Sequence, residues 1–331
     1  MKVPPFSLSK QLSEIGPQLD EAILRVLHSG QYIGGAEVST FEKSFAQIVE
    51  VPFSVGCNSG TDALTIALNA LGVGKGDEVI TCSFSFFATA EAICSVGANP
   101  VFVDVSPDNY LIDIEAIEKA ITSATKVILP VHLFGCPVDM NRLMTLARSK
   151  GLKVVEDCAQ ACGAKWNGKH VGSFGDVGCF SFFPTKNLGA AGDGGAITTS
   201  DENLANKMRE LSIHGMPHRY LHTNIGYNSR LDALQAAILN IKLQYLPNWI
   251  ERRRLIAKNY MRLLNDIPGI KLPDLFSDFN LNHAWNQFVI RVSGIHLDEK
   301  HSGNLTDFSS MLSNNDLPNS SSRDWLQQKL K

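Results

Sequence analysis

No run in this 331-residue chain approaches the length and apolarity of a membrane-spanning helix. The opening Met1-Lys2-Val3-Pro4-Pro5 lacks the apolar core of a secretory signal. Charge of either sign is not in excess. Thirty Lys and Arg against 33 Asp and Glu leave a net charge of −3, so there is no electrostatic footprint for nucleic acid. An acidic ligand must then be held by local donors, not by the overall field. Cysteine is scarce and scattered, with seven at 57, 82, 94, 136, 158, 162 and 179. An odd, dispersed set argues against a disulfide framework and for a reducing compartment, so a cytoplasmic protein is expected. Cys158 and Cys162, with His132 nearby in sequence, fit no zinc spacing, and no metal is expected. No Gly-x-Gly-x-x-Gly follows an apolar run, which removes the nucleotide-dehydrogenase reading. Gly72-Val73-Gly74-Lys75-Gly76 lacks P-loop spacing and reads as a turn. There is no internal repeat.

What is present is ordinary globular material: 44% hydrophobic and 19% charged residues, enough for a large domain with a smaller one. Apolar periodicity predicts helices over 18–28 and 37–49. Short apolar runs then alternate with helical patterns. Strands are expected at 53–57, 78–81, 100–105, 126–131 and 152–156, with helices at 61–71, 88–96, 114–121 and 140–150 between them. Apolar strands separated by helices indicate a mostly parallel sheet covered on both faces, an α/β fold. After about Gly163 the pattern changes. Strands are expected at 177–183 and 195–199, a helix at 204–213, and a long helical region over 231–264 interrupted near Pro247.

The chain is organised around Cys179-Phe180-Ser181-Phe182-Phe183-Pro184-Thr185-Lys186-Asn187-Leu188-Gly189, followed by Ala190-Ala191-Gly192-Asp193-Gly194-Gly195. A lysine after an apolar strand, among small residues, suits an amine that must shed its proton. Burial lowers a lysine pKa, and a neutral amine can form a Schiff base with an aldehyde cofactor. The competing reading is a solvated loop lysine. Asn58-Ser59-Gly60-Thr61-Asp62 joins a strand to a helix and offers backbone N–H groups to an anion, or else plain capping by Ser59 or Asp62. Ser83-Phe84-Ser85-Phe86-Phe87 follows another strand. An aromatic there can stack on a flat ring or pack in the core. Asp157 closes the 152–156 strand, with Gln160 three residues on. An aspartate at the carboxyl end of a parallel strand can pair with a protonated ring nitrogen, or cap the turn.

Six stretches, in this order and spacing, resemble one family. They are Gly30-Gln31-Tyr32-Ile33-Gly34-Gly35, Ser59-Gly60-Thr61-Asp62-Ala63-Leu64, Pro130-Val131-His132-Leu133-Phe134-Gly135, Glu156-Asp157-Cys158-Ala159-Gln160, residues 180–195, and Asn228-Ser229-Arg230-Leu231-Asp232. The chain resembles the DegT/DnrJ/StrS sugar aminotransferases, a branch of the fold-type I pyridoxal-phosphate enzymes, over roughly 5–292. The resemblance implies a pyridoxal 5'-phosphate cofactor with Lys186 as its Schiff-base lysine and Asp157 on the pyridine nitrogen. Gln160 would lie against the ring and its phenolic oxygen, and Phe86 on the other face. Gly60, Thr61 and Ser181 would bind the phosphate. Asn228 would reach the phosphate of a neighbouring subunit, implying a homodimer with shared sites.

The implied substrates are a nucleotide-linked keto-sugar and L-glutamate, in amino-sugar biosynthesis for a cell-surface polysaccharide or secondary metabolite. Lys186 separates this reading from the family's sugar dehydratases, which carry histidine at that position. A non-catalytic cofactor-binding or regulatory protein is the rival from another class. The expected division is a large cofactor-binding domain with an N-terminal arm over 1–245 and a small domain over 246–331. Two departures from the family stand out. Cys162 occupies a position where histidine is common, and 293–331 holds eight serines and few apolar residues. That tail is expected to be divergent and disordered, leaving the small domain incomplete and the sugar site weakened.

Overall fold

The computed structural model describes residues 6–273 and 281–292; the expectation for the 293–331 tail lies outside the described residues. The chain opens with α1 (Ser9–Ser29), ended by Gly30 in the left-handed conformation, and α2 (Gly35–Val49). It continues through β1 (Phe53–Cys57), α3 (Gly60–Ala70), β2 (Glu78–Cys82), α4 (Phe87–Ser95), β3 (Asn99–Val103), α5 (Ile114–Ala120) and β4 (Thr125–Leu129). Then come α6 (Met140–Lys150), β5 (Lys153–Asp157), β6 (Lys165–Trp166), β7 (Lys169–His170), β8 (Val177–Ser181), β9 (Gly195–Thr199) and α7 (Glu202–Ser212). A long α8 (Ala233–Leu264) precedes the short strands β10 (Ile270–Lys271), β11 (Leu281–Asn282) and β12 (Arg291–Val292).

Seven strands form one sheet in the order β1-β9-β8-β5-β4-β2-β3. β9 is antiparallel to both of its neighbours, and the other contacts are parallel. β1, β2, β5 and β8 therefore all end at the same edge. The four stretches singled out in the sequence leave the sheet together there, after positions 57, 82, 157 and 181. That edge is where open α/β sheets bind ligands.

Side chains of β8 alternate between two cores. Val177 and Cys179 join the cluster with α3, α4 and α6, whereas Phe180 and Phe182 join the cluster with α2 and α8. The second cluster is built on four rings. Phe45 meets Phe180 edge-on at 4.9 Å and Phe182 at 5.3 Å, and Phe41 meets Phe182 at 5.3 Å. Edge-to-face packing of this kind adds to the burial term. It anchors the strand that delivers Lys186.

Two expectations are corrected at proline. α1 begins at Ser9 and runs through Pro17, rather than starting at 18. α8 is continuous through Pro247, where an interruption was expected. Proline removes one helical N–H, but Leu243, Leu246, Trp249 and Ile250 are all buried on either side of it. Packing of that face outweighs the missing bond. The expected boundary at 245/246 falls inside this helix. No described helix is long and apolar enough to cross a membrane.

Because Phe45 touches three other rings, its removal should reach the strand beneath the site. Phe45→Ala is expected to cost about 3–5 kcal/mol in urea unfolding of the cofactor-free protein. A loss under about 1 kcal/mol would mean that the ring cluster is not a structural unit.

Candidate active site

Asp157 is the last residue of β5 and is buried. Oδ1 accepts the Ala159 amide at 3.1 Å, and Oδ2 accepts the Thr89 hydroxyl at 2.9 Å. Thr89 Oγ1 also lies 2.9 Å from Ser85 Oγ. Burial pushes the Asp157 carboxyl above its ordinary value, against the pull of the Ala159 amide, Thr89 and Lys186. The capping alternative is thus present in part, since the Ala159 bond is a local turn bond.

The preceding residue, Glu156, points to the opposite face and is fully buried. Its Oε1 accepts the amides of Phe174 and Gly175 at 2.8 Å each. Oε2 accepts the Gly172 amide at 2.8 Å and His132 Nε2 at 3.0 Å. His132 Nδ1 accepts the Val138 amide at 3.0 Å, so the proton sits on Nε2 and the ring donates to Glu156. Burial works to raise the Glu156 carboxyl. The His132 bond and the amides of Gly175 and Gly172 overcome it and hold the group below its ordinary value. His132, Glu156 and Cys158 place possible metal ligands within 4.8 Å of one another. The His132 and Glu156 atoms are already committed to these hydrogen bonds, and burial raises the Cys158 thiol well above its ordinary value. The cluster is a latch between the β4 and β5 ends and the 172–175 turn.

Lys186 is half-buried in the turn after β8, and its own amide donates to the Phe183 carbonyl at 2.8 Å. Burial lowers its pKa, opposed by the negative charge of Asp157. The turn is pinned from three sides. Lys242 of α8, 5% exposed, donates to the Gly189 carbonyl at 2.7 Å, and Gln235 of α8 accepts the Ala191 amide at 2.8 Å. Asn187 donates to the Ala284 carbonyl at 2.7 Å. Gln160 Oε1 accepts the Phe134 amide at 2.6 Å, which fixes the orientation of its carboxamide. Phe86 stands at the start of α4 with its ring 75% exposed, a flat surface without a core position.

Ser59 caps α3 by accepting the Asp62 amide at 3.1 Å, so this half of the capping alternative holds. The first-turn amides of a helix have no intrahelical acceptor, and Gly60 and Thr61 supply them here. A Cβ on Gly60 would lie 2.7 Å from Ser181 Cβ, so glycine brings the α3 start against the end of β8. A Cβ on Gly195 would lie 2.4 Å from the Ser59 carbonyl oxygen, which makes glycine necessary beneath the same turn. Ser229 ties to this corner too, donating to Asn58 Oδ1 at 2.9 Å. Asn228 is exposed, and its Oδ1 accepts a hydrogen bond from Arg230.

One edge of the sheet therefore collects a depressed amine, a buried carboxylate, an exposed ring, an oriented carboxamide and a helix-terminal anion cradle. The donor set fits a ring cofactor bearing an aldehyde, a protonatable nitrogen and a phosphate. Sequence reading missed Thr89, Glu156 with His132, Lys242 and Asn187. Asn187, His132 and Glu156 lay within stretches already singled out, but without these roles; Thr89 and Lys242 lay outside them.

The model of the DegT/DnrJ/EryC1/StrS aminotransferase family matches residues 13–307. The chain is 46% identical over 291 residues to a protein of Geobacillus stearothermophilus named "Pleiotropic regulatory protein", covering 88% of this chain and 78% of the other. It is 46% identical, with the same coverage, to the UDP-N-acetyl-3-dehydro-alpha-D-glucosamine 3-aminotransferase of Acidithiobacillus ferrooxidans. Among solved structures, S. venezuelae DesV in complex with a ketimine intermediate superposes with a TM-score of 0.85 at 44% identity, over 88% of this chain and 78% of that one.

The latch generates a pH-dependent prediction. A carboxyl held below its unfolded value stabilises the fold at pH above that value. The contribution is lost as pH falls through the lower folded value. Glu156→Gln places an amide nitrogen against backbone N–H donors and should cost about 3–5 kcal/mol. The variant should also lack the part of acid destabilisation that Glu156 supplies. Denaturant melts recorded from neutral to acid pH check both. Equal acid limbs in the two proteins would remove Glu156 from the pH dependence.

Proposed function

The chain belongs to the DegT/DnrJ/EryC1/StrS aminotransferase family, and from that premise we propose a pyridoxal-phosphate-dependent transaminase that moves the amino group of L-glutamate onto the ketone of a nucleotide-linked keto-sugar. The observation that carries this reading is the buried Asp157 beside a lysine whose pKa burial depresses, at the ends of adjacent strands. The cofactor, when bound, supplies an aldehyde for the amine and a ring that accepts electrons.

The chain's own residues do the rest. Lys186 would supply the amine that holds the cofactor's aldehyde, and burial favours the neutral form this needs. Once free, the same nitrogen would serve as the general base and acid that moves the donor's Cα proton. Asp157 would hold a proton on the ring nitrogen, its carboxylate oriented by Thr89 and the Ala159 amide. Gln160 would offer its Nε2 donors to the phenolic oxygen, since the Phe134 amide occupies Oε1. Phe86 would lie against the ring. The amides of Gly60 and Thr61 and the Ser181 hydroxyl hold the phosphate at the α3 terminus.

Asn228 reaches the phosphate of a second copy, so the active unit is a symmetric homodimer with two shared sites. The exposed Asn228 at the corner beside Asn58 supports that role. The division into a 1–245 large domain and a 246–331 small domain belongs to the same reading. So does a cytoplasmic location, which the seven free cysteines support. Lys186 sets transfer apart from dehydration. The regulatory name of one relative favours a second reading, a cofactor-binding protein without turnover. The pyridoxamine form, prepared with glutamate and then offered a panel of keto-sugar nucleotides, separates the two. Return of the aldehyde absorbance with one sugar supports transfer. No half-reaction with glutamate removes it.

Lys186→Ala is expected to abolish the visible band of the cofactor-loaded protein and to slow the glutamate half-reaction by at least about 10²-fold. Stopped-flow absorbance measures both. A variant that keeps the band and turns over normally would take this lysine out of the reaction. Sedimentation provides the check on assembly. A fully active monomer would rule out shared sites.

A further inference from the structure

We propose that residues 283–287 form a clasp that sets Lys186 in position relative to Gln160, with Asn187 and Asn286 as positioning residues. The inference rests on the transaminase reading of the same site.

Asn187 directly follows Lys186 and is 3% exposed. Both ends of its carboxamide are used by a segment almost a hundred residues away. Nδ2 donates to the Ala284 carbonyl at 2.7 Å, and Oδ1 accepts from Asn286 Nδ2 at 2.7 Å. A carbonyl can only accept, so the Ala284 bond fixes which end of Asn187 is nitrogen. The Asn286 bond then follows without ambiguity. Neither end can be lost cheaply, because a buried amide group left unpaired keeps its full desolvation cost.

The same segment holds the other side of the site. The Ala284 amide donates to the Gly135 carbonyl at 2.8 Å, and the Gln287 amide donates to the Phe134 carbonyl at 3.2 Å. Phe134 in turn donates its amide to Gln160 Oε1. Gly135 lies at φ +95, and a Cβ there would meet the Gln160 carbonyl oxygen at 2.9 Å and the amide nitrogens of Asn286 and Trp285 at 3.0 and 3.1 Å. Only glycine permits the three strands of chain to converge. One continuous path thus runs from Lys186 through Asn187, the clasp and the Phe134-Gly135 turn to Gln160.

The clasp is itself held rigid. Arg253 of α8 donates to the Trp285 carbonyl at 3.0 Å. The rings of His283 and Trp285 lie parallel with centroids 3.9 Å apart, and the Trp285 amide donates to His283 Nδ1 at 2.7 Å. Trp285 adopts φ 49, a left-handed conformation that a bulky residue keeps only where its surroundings over-determine it. Such a support is what a nucleophile needs, since a displacement of about 1 Å can cost up to about 10²-fold in rate.

The test is a double-mutant cycle with Asn187→Ala, Asn286→Ala and the double variant. Asn286→Asp serves as a near-isosteric change that replaces the donor with an anionic acceptor. Hydrogen exchange is read first, in the cofactor-free protein. Each single variant should raise exchange of the amides at 185–190 by at least about tenfold over those of β4 and β5, and the double should go no further. In the loaded protein the visible band should shift its pH midpoint. The value of kcat should fall at least about tenfold, with KM for glutamate held within about twofold. Unchanged loop exchange, exchange raised equally everywhere, or additive effects would each overturn the clasp. Asn286 is half-buried, so Asn286→Asp keeps the test intact if Asn187→Ala fails to fold. Wild-type protein that forms no visible band would sink the transaminase reading, while loop exchange would still report on the clasp.

Discussion

A carboxylate and an amine, both withdrawn from water at the ends of neighbouring strands, set the terms for everything around them. Burial raises the Asp157 carboxyl and lowers the Lys186 amine, and the attraction between them opposes both shifts. Desolvation wins in each case. The signs show that neither group rests in its most comfortable ionised form, so the site draws on stability held elsewhere. That reserve is visible. Four aromatic rings anchor the strand that delivers Lys186, and Glu156, saturated with donors, anchors the strand that delivers Asp157.

The two neighbours Glu156 and Asp157 show how strand alternation divides labour. Successive side chains point to opposite faces. Glu156 turns inward to a latch of His132 and three amides, which commits every acceptor it has. Asp157 turns toward the ligand edge with one donor on each oxygen and capacity to spare. A single register shift would exchange them. The antiparallel β9 supports the arrangement by bringing Gly195 beneath the Ser59 carbonyl, where any side chain would push the α3 terminus off Ser181.

Much of this was legible in the sequence, for physical reasons that differ by element. The alternation of apolar runs and helices foretold the parallel sheet, because buried strands are uniformly apolar. Lys186, Asp157, Gln160 and Gly60 could be singled out because each lies at or just beyond a strand end, and strand ends converge on one edge; Ser181 came from the family resemblance. Thr89 could not, since a threonine inside a short helix carries no spacing signal. The pairing of Asn187 with Asn286, and of Lys242 with Gly189, spans long separations that no local pattern encodes. Pro247 misled for a related reason, and the turns before residue 18 lie outside the apolar pattern over 18–28. Proline breaks isolated helices, whereas packing of buried neighbours sustains α1 and α8.

The central claim is that Lys186, among the chain's lysines, carries the reactive amine. Lys242 is the natural competitor, because it is also buried, has its pKa lowered by burial, and touches the same turn. Loading the protein with pyridoxal phosphate, reducing with borohydride and mapping the labelled peptide tests the claim most directly. The account predicts a single label on Lys186. A label on Lys242, or no covalent label in protein that has bound the cofactor, would contradict it.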